Sequence, residues 1–222
     1  MKNKISLDTI CATLTTLMGI DAPEQAAAPN EELLNYAKSI LGNEKVDRIF
    51  MYNPDAVAQW IYEKYEYFTR SMKSRKEIEI PLHSAMPSVT PVNFGTMYTG
   101  AQPAVHGIQG YVKPVIKIDT IYDALIRAGK KPAIVSTSGD SMSKIYLERE
   151  MDYYIYDTLE EVNAKAAELI VSDKYDFIAV YNGNYDAIMH KFGPESMEAI
   201  SGTPLFRIPD PLLNVPNPLA RE

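Results

Sequence analysis

Cysteine occurs once in these 222 residues, tryptophan once and histidine three times. A single cysteine excludes an intrachain disulfide. Cys11 falls on a helical apolar stripe with Leu7, Ile10, Leu14 and Met18, where it reads as a small buried hydrophobe. Apolar runs of membrane-crossing length are missing. The opening Met1-Lys2-Asn3-Lys4 leads into sequence broken by Asp8 and several threonines, so neither a leader nor a membrane anchor is expected, and the default reading is a soluble cytoplasmic protein. Clustered positive charge is also scarce. The net charge is −7, and the most basic stretch, residues 70–76, runs straight into Glu77 and Glu79. It reads as a solvated helix end, so neither nucleic acid nor a membrane surface is expected as a partner. No Gly-x-Gly-x-x-Gly follows a strand and no Walker loop occurs, which leaves a dinucleotide or P-loop reading without its carrier. The Gly-x-Ser-x-Gly elbow of serine hydrolases is absent too.

What is present suffices for a folded core: 46% of residues are hydrophobic and 15 are tyrosine. The pattern alternates helix and strand. Ser6 can cap an amphipathic helix ending at Gly19, and a second helix runs from about Glu31 to a stop at Gly42. Residues 46–51 form a short apolar run that reads as a buried strand, closed by Asn53-Pro54-Asp55. A helix carrying Val57, Trp60 and Ile61 follows. Residues 77–82 alternate polar and apolar and predict a second strand. Thr90 reads as the N-cap of the next helix, with Pro91 at its first position. Asp119 and Asp157 read as caps of two later helices, the second in a box with Glu160. Strands are predicted over residues 132–136 and 177–181, the latter opening into Asn182-Gly183-Asn184-Tyr185-Asp186. Short apolar strands between capped helices predict an α/β fold, a mostly parallel sheet sandwiched by helices. The expected organisation is an N-terminal helical segment over 1–44, an α/β core over 45–201 and a proline-rich tail over 202–222. That tail holds five of the 15 prolines and no periodicity.

Ligands of such sheets gather beyond the carboxyl ends of the strands. There the sequence offers Asp55, Thr90, Asp140 and Asp186. Two readings stand for each. A hydroxyl at a helix N-terminus can meet a phosphoryl group where backbone amides and the helix dipole favour negative charge, or Thr90 can simply cap the helix. Asp186 and His190, four apart, share one helical face and could bind one metal ion, or form a surface pair. Asp55 could be a ligand or a cap, and Asp140 could cap a turn. His106 reads as part of a turn after Pro103, and His83 as a packed or exposed side chain.

Three blocks, in order, resemble the alkaline phosphatase superfamily, closest to its nucleotide pyrophosphatase/phosphodiesterase branch. Met86-Pro87-Ser88-Val89-Thr90-Pro91-Val92-Asn93, continuing through Thr99-Gly100-Ala101-Gln102-Pro103 to His106-Gly107-Ile108, resembles the family's nucleophile block. Asn53-Pro54-Asp55-Ala56 resembles its first metal-ligand block, with Ala56 where glycine is usual. Asp186-Ala187-Ile188-Met189-His190-Lys191-Phe192-Gly193-Pro194 resembles its Asp-x-x-x-His-x-x-Gly-Pro block. The resemblance implies an alkaline-phosphatase-like core and a hydrolase of phosphate esters that acts through a phosphothreonine intermediate. Thr90 would be the nucleophile and Asn93 a phosphoryl-oxygen donor. Two divalent ions, zinc most often, would be held by Asp55 with Thr90 and by Asp186 with His190, and the substrate would be a small phosphate-ester or nucleotide-type molecule.

The departures bear on the same conclusion. The family's ions also need a later Asp-His pair and a further histidine, and no histidine follows His190. Residues 6–23 resemble a helix that usually comes late in these enzymes, which implies a rearranged order. The proline-rich end implies a truncated or replaced continuation. The alternative expectation is a non-catalytic α/β module that keeps the fold with an incomplete metal site. A third is an unrelated doubly wound protein.

Overall fold

A computed structural model describes residues 5–65, 69, 73, 74 and 76–201. Most of the basic stretch and all of the proline-rich tail expected from the sequence therefore lie outside the described residues. Two helices open the chain, α1 (Thr9–Met18) and α2 (Glu31–Leu41). Strand β1 (Ile49–Pro54) and helix α3 (Gln59–Lys64) follow. Next come α4 (Thr90–Thr99), the single turn α5 (Pro103–His106) and α6 (Ile121–Arg127). The order closes with β2 (Pro132–Thr137), α7 (Met142–Ile145), β3 (Asp152–Tyr156), α8 (Leu159–Ser172), β4 (Phe177–Asn182), α9 (Asn184–Phe192) and α10 (Met197–Ser201).

The four strands form one parallel sheet in the order β1-β4-β2-β3, with Ile49 opposite Phe177 and Pro132 opposite the same residue from the other side. The fold is α/β, as the alternating pattern predicts. All six residues of β4 are buried, as a central parallel strand covered on both faces requires. Their side chains alternate between two cores. Phe177, Ala179 and Tyr181 join Ile134 in a first core with residues of α1, α4, α6 and α7, while Ile178 and Val180 join Ala133 and Val135 against Val162, Ala166 and Leu169 of α8. The links from β1 to β2 and from β2 to β3 cross the first face in one direction. The link from β3 to β4 returns over the second, so all three crossovers have one hand.

Cys11, Leu14 and Met18 of α1 belong to the first core, so α1 packs against the sheet together with α4 and α6. The Thr9, Thr13 and Thr15 hydroxyls of this helix each donate to a carbonyl within four residues. Thr13 Oγ1 donates to the Thr9 carbonyl at 2.7 Å and accepts the Asn30 amide at 2.7 Å.

Several expectations shift. Residues 77–82 form no strand. Ile78, Ile80 and Leu82 are half-buried while Glu77, Glu79 and Pro81 are exposed, so the alternation is real. The segment nevertheless crosses the surface without a ladder, and only His83 pairs in isolation with Ser6. β1 begins three residues later than expected and extends through Pro54. β3 was hidden because its three tyrosines blur the apolar/polar alternation. The two expected aspartate caps are each displaced by one residue. Thr120 with Asp123 and Thr158 with Glu161 form complete capping boxes, since a threonine with an acid three residues on satisfies two orphan amides reciprocally. Asp119 instead holds Arg127 through two contacts of 2.6 and 2.8 Å. Among the described residues no helix is long and apolar enough to cross a membrane.

Candidate functional site

Val89, in extended geometry, occupies the N-cap of α4, so Thr90 is the first helical residue and Pro91 the second. The expected capping role of Thr90 does not hold, and its hydroxyl is left for a distant partner. Thr90 Oγ1 donates to Asp55 Oδ2 at 2.9 Å, across 35 residues of chain. Asp55 stands just past the end of β1, where its amide extends the ladder to the Asn182 carbonyl at 2.9 Å. Its other oxygen, Oδ1, accepts the Ala56 amide at 2.8 Å.

A third donor reaches the same carboxylate. Tyr181, on the first-core face of β4, donates its hydroxyl to Asp55 Oδ2 at 2.6 Å. Burial first, then the neighbouring charge of Asp55, pushes the Tyr181 phenol far above its ordinary value, so it remains a donor. Sequence reasoning placed Tyr181 only at a strand end. Its position on the Asp55 side follows from strand parity together with the register of β4 on β1. Two residues back from Asp55, buried Asn53 makes a second tie. Its Oδ1 accepts the Tyr98 hydroxyl of α4 at 3.2 Å, and its Nδ2 donates to the Val180 carbonyl of β4 at 3.0 Å.

Ala56 takes φ 60°, a left-handed conformation that glycine adopts without steric cost. This explains physically why glycine would suit the position after Asp55.

Asp186 lies in the first turn of α9, and its carboxyl is pushed above its ordinary value by burial and then by the charge of Asp55. His190, one turn on, approaches Asp186 Oδ1 at 3.3 Å with a side chain 72% exposed. The expected pair is therefore formed, and its aspartate feels the Asp55 corner. Asn93, the expected phosphoryl-oxygen donor, lies in the first turn of α4. Its Oδ1 accepts the Ala85 amide at 2.8 Å and its Nδ2 donates to the Val89 carbonyl at 3.2 Å, so it fastens the loop that leads into α4.

The remaining histidines are structural or peripheral. His106 is buried against α4. Its Nδ1 accepts the Ile108 amide at 3.3 Å, which leaves the hydrogen on Nε2, 3.1 Å from Thr96 Oγ1. Gly95 makes room for the ring, since a Cβ there would stand 2.6 Å from Cε1. His83 is exposed.

Carboxylate, hydroxyl and imidazole donors suit zinc in kind. In number they do not. Asp55 with Thr90 makes two donors and Asp186 with His190 makes two more. Among the described residues no three His, Cys, Asp or Glu side chains converge on a point that could hold an ion. The residues present therefore do not complete either half of the expected two-ion site. What the corner does supply is a helix N-terminus, a hydroxyl aimed at a carboxylate, and a second donor holding that carboxylate in place.

No protein-family model, curated protein or solved structure matches this chain.

Proposed function

We propose that the chain carries the nucleophile-bearing part of a metal-dependent phosphate-ester hydrolase with an alkaline-phosphatase-like core, closest to the phosphodiesterase/nucleotide pyrophosphatase type. The observation that supports this reading most is the 2.9 Å contact between Thr90 Oγ1 and Asp55 Oδ2, which joins a helix N-terminus to a strand end. Local structure makes no use of that hydroxyl, because Val89 occupies the cap position.

In the proposed reaction Thr90 Oγ1 attacks the phosphorus of a small phosphate ester or nucleotide-type diester. The bond from phosphorus to the leaving oxygen breaks as the Thr90 oxygen–phosphorus bond forms. The Thr90 proton passes to Asp55 Oδ2 and from there to solvent, and the leaving alkoxide takes a proton from water. Water then hydrolyses the phosphothreonine and returns the hydroxyl. Of the first-turn amides of α4, those of Thr90 and Val92 would serve the developing negative charge, since Pro91 has no N–H and the Asn93 amide donates to the Val89 carbonyl at 3.1 Å. Divalent ions, zinc by resemblance, would add positive charge at the attacking and leaving oxygens, and they require donors beyond the four described here.

Hydrolysis of a chromogenic phosphodiester in the presence of zinc tests the reading. Thr90→Ala is expected to lower turnover at least about a thousandfold, as removal of a nucleophile does. Turnover that survives the substitution would overturn it. The second reading, a non-catalytic α/β module, is favoured by one observation: no three ligand side chains converge among the described residues. It predicts no Thr90-dependent turnover and no stoichiometric zinc.

A further inference from the structure

Tyr181 closes a ring of contacts through three elements. Helix α4 brings both Thr90 and, one turn later, Phe94. The Phe94 ring meets the Tyr181 ring edge-on, with centroids 5.5 Å apart and planes at 76°. From that fixed ring the Tyr181 hydroxyl reaches Asp55 Oδ2 at 2.6 Å, and the same oxygen accepts Thr90 Oγ1 at 2.9 Å. The helix that carries the hydroxyl thus also steers the tyrosine that orients the hydroxyl's acceptor.

The space for this arrangement comes from Gly183. A Cβ at that residue would lie 2.8 Å from the Tyr181 hydroxyl oxygen and 3.1 Å from Cε1 and Cζ. The φ of Gly183 is −91°, open to any residue, so the local requirement at that position is absence of bulk beside the phenol. Asp55 is then held by three donors from separate sources: the Ala56 amide on Oδ1, and Tyr181 and Thr90 on Oδ2. Without the phenol, the carboxylate keeps one backbone donor and can turn about its χ2, and Thr90 loses a fixed acceptor.

We infer that Tyr181 is a positioning residue: seated by Phe94 and given room by Gly183, it fixes Asp55 Oδ2 so that the Thr90 hydroxyl points its lone pairs away from the carboxylate toward incoming substrate. The catalytic consequence rests on the hydrolase reading above, while the geometry does not. Tyr181→Phe removes the hydroxyl and keeps the ring against Phe94. Gly183→Ala keeps the hydroxyl and displaces it.

The test combines kinetics on bis(p-nitrophenyl) phosphate with zinc added and crystal structures of the wild-type and variant chains. Both variants are expected to lower kcat about ten- to a hundredfold at unchanged KM, the scale of a small misplacement of a reacting group. Both should retain cooperative unfolding, and in Tyr181→Phe the Asp55 carboxylate should leave Thr90 Oγ1 by more than a hydrogen-bond length. A Tyr181→Phe enzyme with unchanged kcat, or one with raised KM at constant kcat, overturns the inference and leaves the hydrolase reading standing. If the wild-type chain shows no Thr90-dependent turnover, the hydrolase reading fails, and the structures alone decide. An Asp55–Thr90 contact that persists in Tyr181→Phe then overturns the positioning role, and its loss supports it.

Discussion

Asp140 and Asp55 both follow a strand of the same parallel sheet, yet they are held in opposite ways. Asp140 is saturated by its own loop. Its Oδ2 accepts Ser136 Oγ at 2.5 Å and both the amide and the hydroxyl of Thr137 at 2.9 Å, and its Oδ1 accepts the Ser143 amide at 2.7 Å. All of these donors lie within four residues. Asp55 has one local donor, and its other oxygen is shared by hydroxyls 35 and 126 residues away. A carboxylate closed by neighbours in sequence builds a turn. One completed by distant elements fixes the meeting of a helix with two strands.

This contrast predicts unequal responses to substitution. Asp140→Ala is expected to cost about 2–3 kcal/mol in urea denaturation, because backbone amides that have lost a charged acceptor stay partly shielded from water. Asp55→Ala should cost only about 1 kcal/mol on the same measure, since two of its three donors are hydroxyls able to turn elsewhere. An equal or larger loss at Asp55 would break the distinction. Next in size, Ala56→Gly should stabilise the chain by about 1 kcal/mol through relief of the left-handed φ of 60°, and an unchanged urea midpoint would sink that account.

The smallest effect concerns charge. Asp186 has a folded pKa raised above its ordinary 3.8 by burial and by Asp55. The fold therefore binds the proton more tightly than the unfolded chain does. Stability falls as pH rises from the ordinary value through the raised one, and at neutral pH the ionised group opposes folding. Asp186→Asn should accordingly stabilise the chain at pH 7 by less than Ala56→Gly does, and should give no gain at pH 3. A gain of the same size at both pH values would remove Asp55 repulsion and burial as the cause.

The gross architecture was legible because its signals are local. Apolar runs at 132–136 and 177–181 predict strands that are present, and Gly19 and Gly42 stop α1 and α2 where expected. The misread caps share one cause, competition between neighbouring residues for the same local role. Thr120 displaced Asp119 as a cap, and Val89 displaced Thr90. The alternation over residues 77–82 correctly marked a one-sided surface segment, but alternation alone cannot supply a partner strand.

Sequence by itself determined that Asp55, Thr90, Asp140 and Asp186 stand at or near the ends of elements of an α/β fold, because helix and strand periodicities and their stops are short-range properties. It also bounded the imidazole count, with no histidine after His190. Tertiary structure alone decided which of these side chains meet. The β1–β4 register and the seating of α4 over β4 bring Thr90 and Tyr181 to one oxygen of Asp55. They turn Asn93 toward its own loop and leave Asp186 with His190 as a separate pair. Contacts across 35 and 126 residues depend on register and packing angle, and no window of sequence contains either.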